Sequence, residues 1–299
     1  MINFTHLAAF YAVVETGSVT AASEHLHVSQ PALTREIREL EGRLGVPLFD
    51  RLPRGMQPTE AGRLLADYAS QIFGLARAAE NALEEFAGLT RGHLGLAASR
   101  TIGVYLLPAV LDEFRKRYPG VTVEVVVSNS ERIEQELLAH EHQIGLIEGP
   151  FDGETFDAVV LGRDDLIAVA SPVHRLARKR VLHAADLDDA ELVTREPGSG
   201  TRAVVEEAYL RHGIRLSGMM SVGSTEAIKR LLRLGTAVAW MSRHTVTEEL
   251  DAKLLVQLPI RDLAIARDLT MIWRKSRSLS PSARAFRALT AEMFGRTER

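Results

Sequence analysis

From residue 59 to about residue 88 the chain places Leu64, Leu65, Tyr68, Ile72, Phe73, Leu75, Ala79, Leu83 and Phe86 at helical spacing, forming one broad apolar stripe. About 30 residues at ~1.5 Å rise make a rod of roughly 45 Å. A stripe of that size has to be buried, and nothing adjacent in sequence offers a surface for it, so self-association is the expected solution. The rod also divides the chain. The N-terminal side is short and helical, and the C-terminal side alternates between strand and helix.

Upstream, Asn3 is placed to cap a helix over 4–16, with Leu7, Phe10, Val13 and Val14 on one side and a break at Gly17. Ser18 opens a second short helix over 19–26, where Ala21-Ala22-Ser23 are small enough for a close crossing. Ser29-Gln30-Pro31 is a helix-start signal, a hydroxyl cap with Pro in the first turn. The third helix carries Leu33, Ile37, Leu40 and Leu44 and stops at Gly45. Three short helices so spaced make a helix-turn-helix. Residues 48–51 and 56–57 then read as a small hairpin, a wing, and Thr59 caps the rod.

The outer face of the third helix carries Gln30, Thr34, Arg35 and Arg38. Gln and Arg read adenine and guanine edges in the major groove, and Thr reaches a base edge or a phosphate. Ser29 and the helix's first amides suit a phosphate, and Arg51 and Arg54 place two cations on the wing. The competing reading is an ordinary helical subdomain with a solvated polar face. Bulk charge does not decide between them. The 299 residues have a net charge of −3, and residues 1–58 carry five Arg against six acids, so no broad basic patch exists.

Composition excludes other classes. Cysteine is absent, which removes disulfide scaffolds, thiolate metal sites and cysteine nucleophiles. No apolar run approaches the roughly 18 residues a spanning helix needs. The apolar run 7–14 has no Lys or Arg before it, because the first is Arg35, so it does not read as a secretion signal. A cytoplasmic protein with no membrane association is expected.

Beyond the rod, strands at 93–99, 121–127 and 143–147 alternate with helices at 104–117 and 131–140, a pattern implying a parallel sheet. A second set comes next: strands at 166–170, 192–195 and 237–241, helices at 202–212 and 225–234, then a return through 269–273 and a final helix over 282–294. Two α/β lobes with a cleft between them are expected. The domain reading is a winged helix-turn-helix over 1–58, a linker helix over 59–90 and a two-lobed domain over 91–299. Lobe I takes about 91–162 and 268–299, and lobe II about 163–267.

Small polar residues gather at the strand-to-helix junctions of that domain: Ser99, Arg100 and Thr101; Ser128 and Asn129; Glu148; Thr201 and Arg202; and Thr225. Ligands of open α/β sheets bind at the carboxyl ends of strands, where helix N-termini favour an anion. Each hydroxyl also has a plain role as a helix cap, but five such junctions in one domain point to a shared cleft. The expected ligand is a small anion, an oxyanion or a short carboxylate, with Glu148 as a hydrogen-bond acceptor or lobe-spanning contact. No cofactor, metal site or catalytic residue is expected. His25-x-His27 and His140-x-His142 lack further ligands at metal spacing, and no phosphate-binding loop or nucleophile elbow is present. The rival class is a small-anion binding protein or enzyme that uses its N-terminal helices only for assembly.

The stretch over 10–62, FYAVVETGSVTAASEHLHVSQPALTREIRELEGRLGVPLFDRLPRGMQPTEAG, closely resembles the N-terminal signature of LysR-type transcriptional regulators. It shares the first-helix aromatic, the A-A-x-x-L turn, S-Q-P-A-L-T-R-x-I-x-x-L-E, the L-F-x-R wing entry and T-E-A-G, and the segment order extends the likeness along the chain. The resemblance implies a winged helix-turn-helix, a dimerising linker helix and an effector domain like periplasmic binding proteins. It implies homotetramers, dimers of dimers, that bend double-stranded promoter DNA. By position it makes Gln30, Pro31, Thr34 and Arg35 base or backbone contacts and Arg54 the wing contact. The segments REPGSGTR, STEAIKRLL and LIEGP look like the branch containing sulfur-assimilation and sulfite-responsive regulators. Arg100 departs from the small polar residue expected there, and either strengthens anion binding, demands a bidentate ligand or points to solvent.

Overall fold

The computed structural model describes residues 2–52, 55–85, 92–188, 190–214, 220–275 and 277–297. The chain forms two compact units, Met1–Glu80 with Ala139–Glu141, and Asn81–Leu138 with His142–Arg299.

In the first unit, α1 (Phe4–Thr16), α2 (Val19–His25) and α3 (Gln30–Leu44) form where the caps direct them: Asn3 accepts from the Thr5 amide, Ser18 from Ala21 and Ser29 from Ala32. Leu7, Phe10, Val13, Ala22, Leu33, Ile37 and Leu40 close a common core. Leu44 does not join it and is exposed. The wing is β1 (Phe49–Leu52) paired antiparallel with β2 (Gly55–Pro58). Glu41 anchors it, its Oε1 accepting from the Leu48 amide at 2.8 Å. Thr59 ties the next helix to the same place, donating to Pro47 O and accepting from the Gly62 amide. A Cβ on Gly62 would stand 2.1 Å from Leu48 O, so that position admits only glycine.

That helix, α4 (Glu60–Glu85), corrects one expectation. Part of its stripe does find a neighbour in sequence: Ala69 is buried, and Leu65, Ile72 and Phe73 pack against the three-helix core. The Phe73 ring lies 6.4 Å from Phe4 and 5.8 Å from Tyr11. Leu64, Tyr68, Leu75 and Leu83 remain exposed, as does Ala79; Phe86 and Gly88 lie outside the described residues.

The second unit opens with β3 (Gly92–Ser99), one π-helical turn (Ile102–Leu106), α5 (Leu107–Arg117), β4 (Val121–Ser128), α6 (Ser130–Leu138) and β5 (Ile144–Glu148). The π turn, closed by the Leu107 amide on Ile102 O, stands where a continuous α-helix was expected. Pro108 has no N–H and would collide with the carbonyl four residues back, so the helix starts afresh. Then come β6 (Phe156–Ala170), short 3-10 turns at Arg175–Arg178 and Ala184–Leu187, β7 (Glu191–Thr194), α7 (Gly200–Arg211), β8 (Met220–Ser221), α8 (Thr225–Leu232), β9 (Ala237–Ser242), α9 (Arg243–Asp251), β10 (Val256–Gln257), β11 (Ile265–Arg274) and α10 (Pro281–Thr297).

The strands form one sheet in the order β4-β3-β5-β11-β6-β9-β7-β8, with β10 also on β6. The sheet is mixed. β3 runs parallel to β4 and β5 as expected, but β11 is antiparallel to β5 and β6, and β6 to β9. One apolar core gathers Phe114, Phe286 and Trp273 around β3, β5 and α10, and another gathers Leu166, Tyr209 and Trp240 in the second half. β6 and β11 run through both, which makes the unit two-lobed. No helix among the described residues is long and apolar enough to cross a membrane.

Leu40 has no exposed surface. Leu40→Ala is expected to destabilise the N-terminal unit by about 2–5 kcal/mol in denaturant unfolding; a loss under about 1 kcal/mol would contradict this core.

Candidate nucleic-acid and effector sites

On α3, Ser29, Gln30, Pro31, Arg35 and Arg38 are exposed and Thr34 is half-buried, so the buried stripe of Leu33, Ile37 and Leu40 leaves the opposite face to solvent. Among the described residues Arg35 has only long contacts, 3.9 Å to Glu36 and 3.8 Å to Glu39, with 70% of its side chain exposed. Pairs of that kind hold little energy and leave the guanidinium available. On the wing, the Arg51 backbone pairs with Met56, while Arg54 lies outside the described residues. Behind α3, His6 Nε2 meets Glu36 Oε2 at 2.9 Å and Glu39 Oε2 at 3.3 Å, tying α1 to the third helix. Among the described residues this is the one group with metal-ligand proximity, and it is neither of the His-x-His pairs noted in sequence.

In the second unit the junction residues sort into two sets. Thr101, in the turn after β3, and Thr201, in the first turn of α7, both accept hydrogen bonds from Arg267, at 3.1 and 2.6 Å. Arg267 lies on β11 with no exposed side-chain surface. Its Nε donates to Asp164 Oδ2 at 2.9 Å, directly across the β6–β11 ladder. Asp164 Oδ1 accepts in turn from Ser242 at 2.7 Å. Glu148 Oε1 approaches Arg267 Nη2 at 3.8 Å and is buried without a hydrogen-bond partner. Arg267 and Asp164 thus join hydroxyls from both lobes around a buried ion pair where the two cores meet.

Arg100 does not point to solvent. Its Nη1 bonds Glu196 Oε1 on the loop between β7 and α7. Nearby, Tyr105 in the π turn donates to Glu226 Oε1 at 3.0 Å, and Lys229 sits 2.6 Å from Glu226 and 2.8 Å from Glu249. Burial would depress the Lys229 ammonium, but these carboxylates outweigh it and raise its pKa.

Of the remaining expected residues, Asn129 also links the two lobes. Ser99 Oγ accepts from the Ile102 amide, and Asn129 accepts from Arg132 while donating to Pro197 O. Ser128 is half-buried at the end of β4, and Thr225 is half-buried in α8, whose cap is Ser224. Arg202 donates to Glu206 Oε1 at 2.7 Å, to Arg195 O at 3.4 Å and to Ser221 Oγ at 3.5 Å. It borders a cavity of about 480 Å³ that also includes Glu131 and Glu134.

Residues 4–63 match the bacterial regulatory helix-turn-helix protein, lysR family, and residues 87–295 match the LysR substrate binding domain. The chain belongs to the LysR family of bacterial transcriptional regulators. A RuBisCO operon transcriptional regulator of Allochromatium vinosum is 33% identical over 286 residues, 96% of this chain and 94% of that protein. Full-length CbnR, complexed with its target DNA, shares the fold at a TM-score of 0.72 and 24% identity, covering 97% of this chain and 99% of CbnR. The regulatory domain of Synechocystis PCC6803 CcmR, in complex with 2-PG, is 27% identical at a TM-score of 0.62, covering 68% of this chain and 97% of that domain. This LysR-type chain is accordingly a DNA-binding transcriptional regulator with an effector-binding domain.

Sequence reasoning missed Arg267, Asp164, Glu196 and Tyr105. The signal for the first two was present: Ile265, Arg267 and Leu269 alternate on one buried face, as do Asp164, Leu166 and Ala168. A charge at period two on such a face needs a buried partner. Removing the guanidinium strands Asp164, so Arg267→Ala is expected to cost about 3–5 kcal/mol in chemical denaturation. Arg267→Ala with Asp164→Ala should cost less than the single change, and an additive double variant would contradict the pair.

Proposed function

We propose that this regulator answers to a small anion bound between the lobes of its effector domain, and that α3 carries the reading of promoter DNA. The observation that carries the effector reading is the convergence of Thr101 from one lobe and Thr201 from the other on the Arg267 guanidinium. A ligand entering there meets hydroxyls that can reorient and a cation at their centre, and it contacts both lobes at once. Glu148, whose buried Oε1 has no hydrogen-bond partner among the described residues, offers an acceptor to a hydroxyl or protonated group on the same ligand. CcmR in complex with 2-PG supports a small-molecule ligand for a domain of this fold.

On the DNA side, Gln30, Thr34, Arg35 and Arg38 are the groups for base edges and phosphates, Ser29 and Pro31 bring the α3 N-terminus to the backbone, and Arg51 and Arg54 extend the contact through the wing. The exposed Leu64, Tyr68, Leu75 and Leu83 of α4 are the seam for a homodimer, with dimers pairing into tetramers in the cytoplasm. The working division remains 1–58, 59–90 and 91–299, with lobes exchanging near 162–163 and 267–268. The ligand acts by binding one lobe arrangement better than another, a coupling typically worth 1–3 kcal/mol.

A thermal-shift titration against sulfite, sulfate, thiosulfate, phosphate and short carboxylates tests the effector reading. A ligand at 100 times its Kd adds about 2.7 kcal/mol, and a selective rise with an oxyanion is expected; a flat panel would overturn the anion. Thr201→Val should weaken that response while leaving ligand-free DNA binding intact. Arg35→Ala should weaken binding to a duplex selected by the wild-type protein by about 1–3 kcal/mol, with oligomeric state unchanged. Retained sequence preference would remove Arg35 from the reading face.

A further inference from the structure

Arg100 and Glu196 come from opposite lobes, and their contact leaves a carboxylate where a ligand anion would sit. Arg195 grips the same group as a fork, Nε on Oε2 at 2.9 Å and Nη2 on Oε1 at 3.1 Å, while Arg100 Nη1 takes Oε1 from the other side. Two guanidinia closing on one carboxylate form the donor set an oxyanion or phosphate selects. The surroundings are built for it: the Arg195 side chain is only 8% exposed and Glu196 19%. The turn that starts α8 also lies close, since a Cβ on Gly223 would stand 3.8 Å from Glu196 Oε2. Burial alone would raise the Glu196 carboxyl, but hydrogen bonds and charge from Arg195, with the charge of Arg100, hold it below its ordinary value. It is therefore an anion at neutral pH.

We infer that Glu196 is a tethered stand-in for the effector's anionic group, occupying Arg100 and Arg195 until a free anion displaces it, and that it thereby sets which anions the cleft accepts. This rests on the anion reading proposed above. Displacement exposes two guanidinium charges. A dianion such as sulfate or a phosphomonoester matches both. A monocarboxylate replaces one carboxylate with another and must do so against a competitor on the chain itself, whose effective concentration is high. The result is a carboxylate filter: wild-type protein should favour dianionic tetrahedral oxyanions over acetate. The contact also couples the site to the lobes, because freeing Arg100 undoes one of the links that the 100–105 segment makes to the second lobe, beside Thr101 to Arg267, Tyr105 to Glu226 and Lys229 over the Tyr105 ring.

The test is isothermal titration of full-length protein with sulfate, phosphate and acetate, for wild type, Glu196→Gln and Glu196→Gln with Arg100→Ala. Glu196→Gln should tighten sulfate about tenfold or more and bring acetate into measurable binding, and the added Arg100→Ala should remove most of that gain. Sulfate or phosphate binding in wild type that Glu196→Gln leaves unchanged or weakens would overturn the stand-in while leaving the anion reading intact. No binding of any of the three by either protein, with specific DNA binding retained, would overturn both. Should Glu196→Gln fail to fold, Glu196→Asp keeps the charge but shortens the reach to Arg100. It is expected to give a smaller tightening in the same direction, and none would count against the stand-in.

Discussion

The Arg267–Asp164 ion pair is the interaction on which the effector domain depends. It lies across the β6–β11 ladder where the two apolar cores meet, at a point where a hydrophobic pair would serve stability as well or better. What an apolar pair could not supply is a polar centre inside the sheet that both lobes can reach. Thr101 and Thr201 bond to it from opposite sides, and Glu148 stands beside it with an oxygen to spare.

The N-terminal unit is held differently, by short-range devices that sequence alone displays. Asn3, Ser18 and Ser29 cap their helices as their spacing requires. Glu41 and Thr59 fasten the wing to α3 and α4 through backbone groups of Leu48 and Pro47. These side chains spend their polar atoms on the backbone, so the polar residues left over on α3 face solvent, Arg35 with 70% of its side chain exposed. The His6 contacts with Glu36 and Glu39 brace α3 against α1.

Most elements were legible because their signals are local: caps, breaks and periodicity. The signals that failed were non-local. The antiparallel return of β11 between β5 and β6 cannot be inferred from alternation, which is why the sheet reads as parallel until its pairing is seen. The π turn needed Pro108 to be read as a stop rather than a tolerated first-turn residue. Thr101 and Thr201 were singled out by their junction positions, and both bond to Arg267. Arg267 was missed because its partner lies 103 residues away. Arg100 could not be placed without knowing that Glu196 faces it.

The most direct measurement is the bend of a fluorescently end-labelled duplex carrying the wild-type site, bound by full-length protein and titrated with the anion that gives the strongest thermal shift. Ionic strength is held constant with chloride, because phosphate contacts alone make DNA binding salt-dependent. The account predicts that the bend changes along the same curve as cleft occupancy, and that Thr201→Val shifts both curves together. A bend that stays constant through full occupancy would contradict it, because the anion would then bind without acting on how the regulator holds DNA.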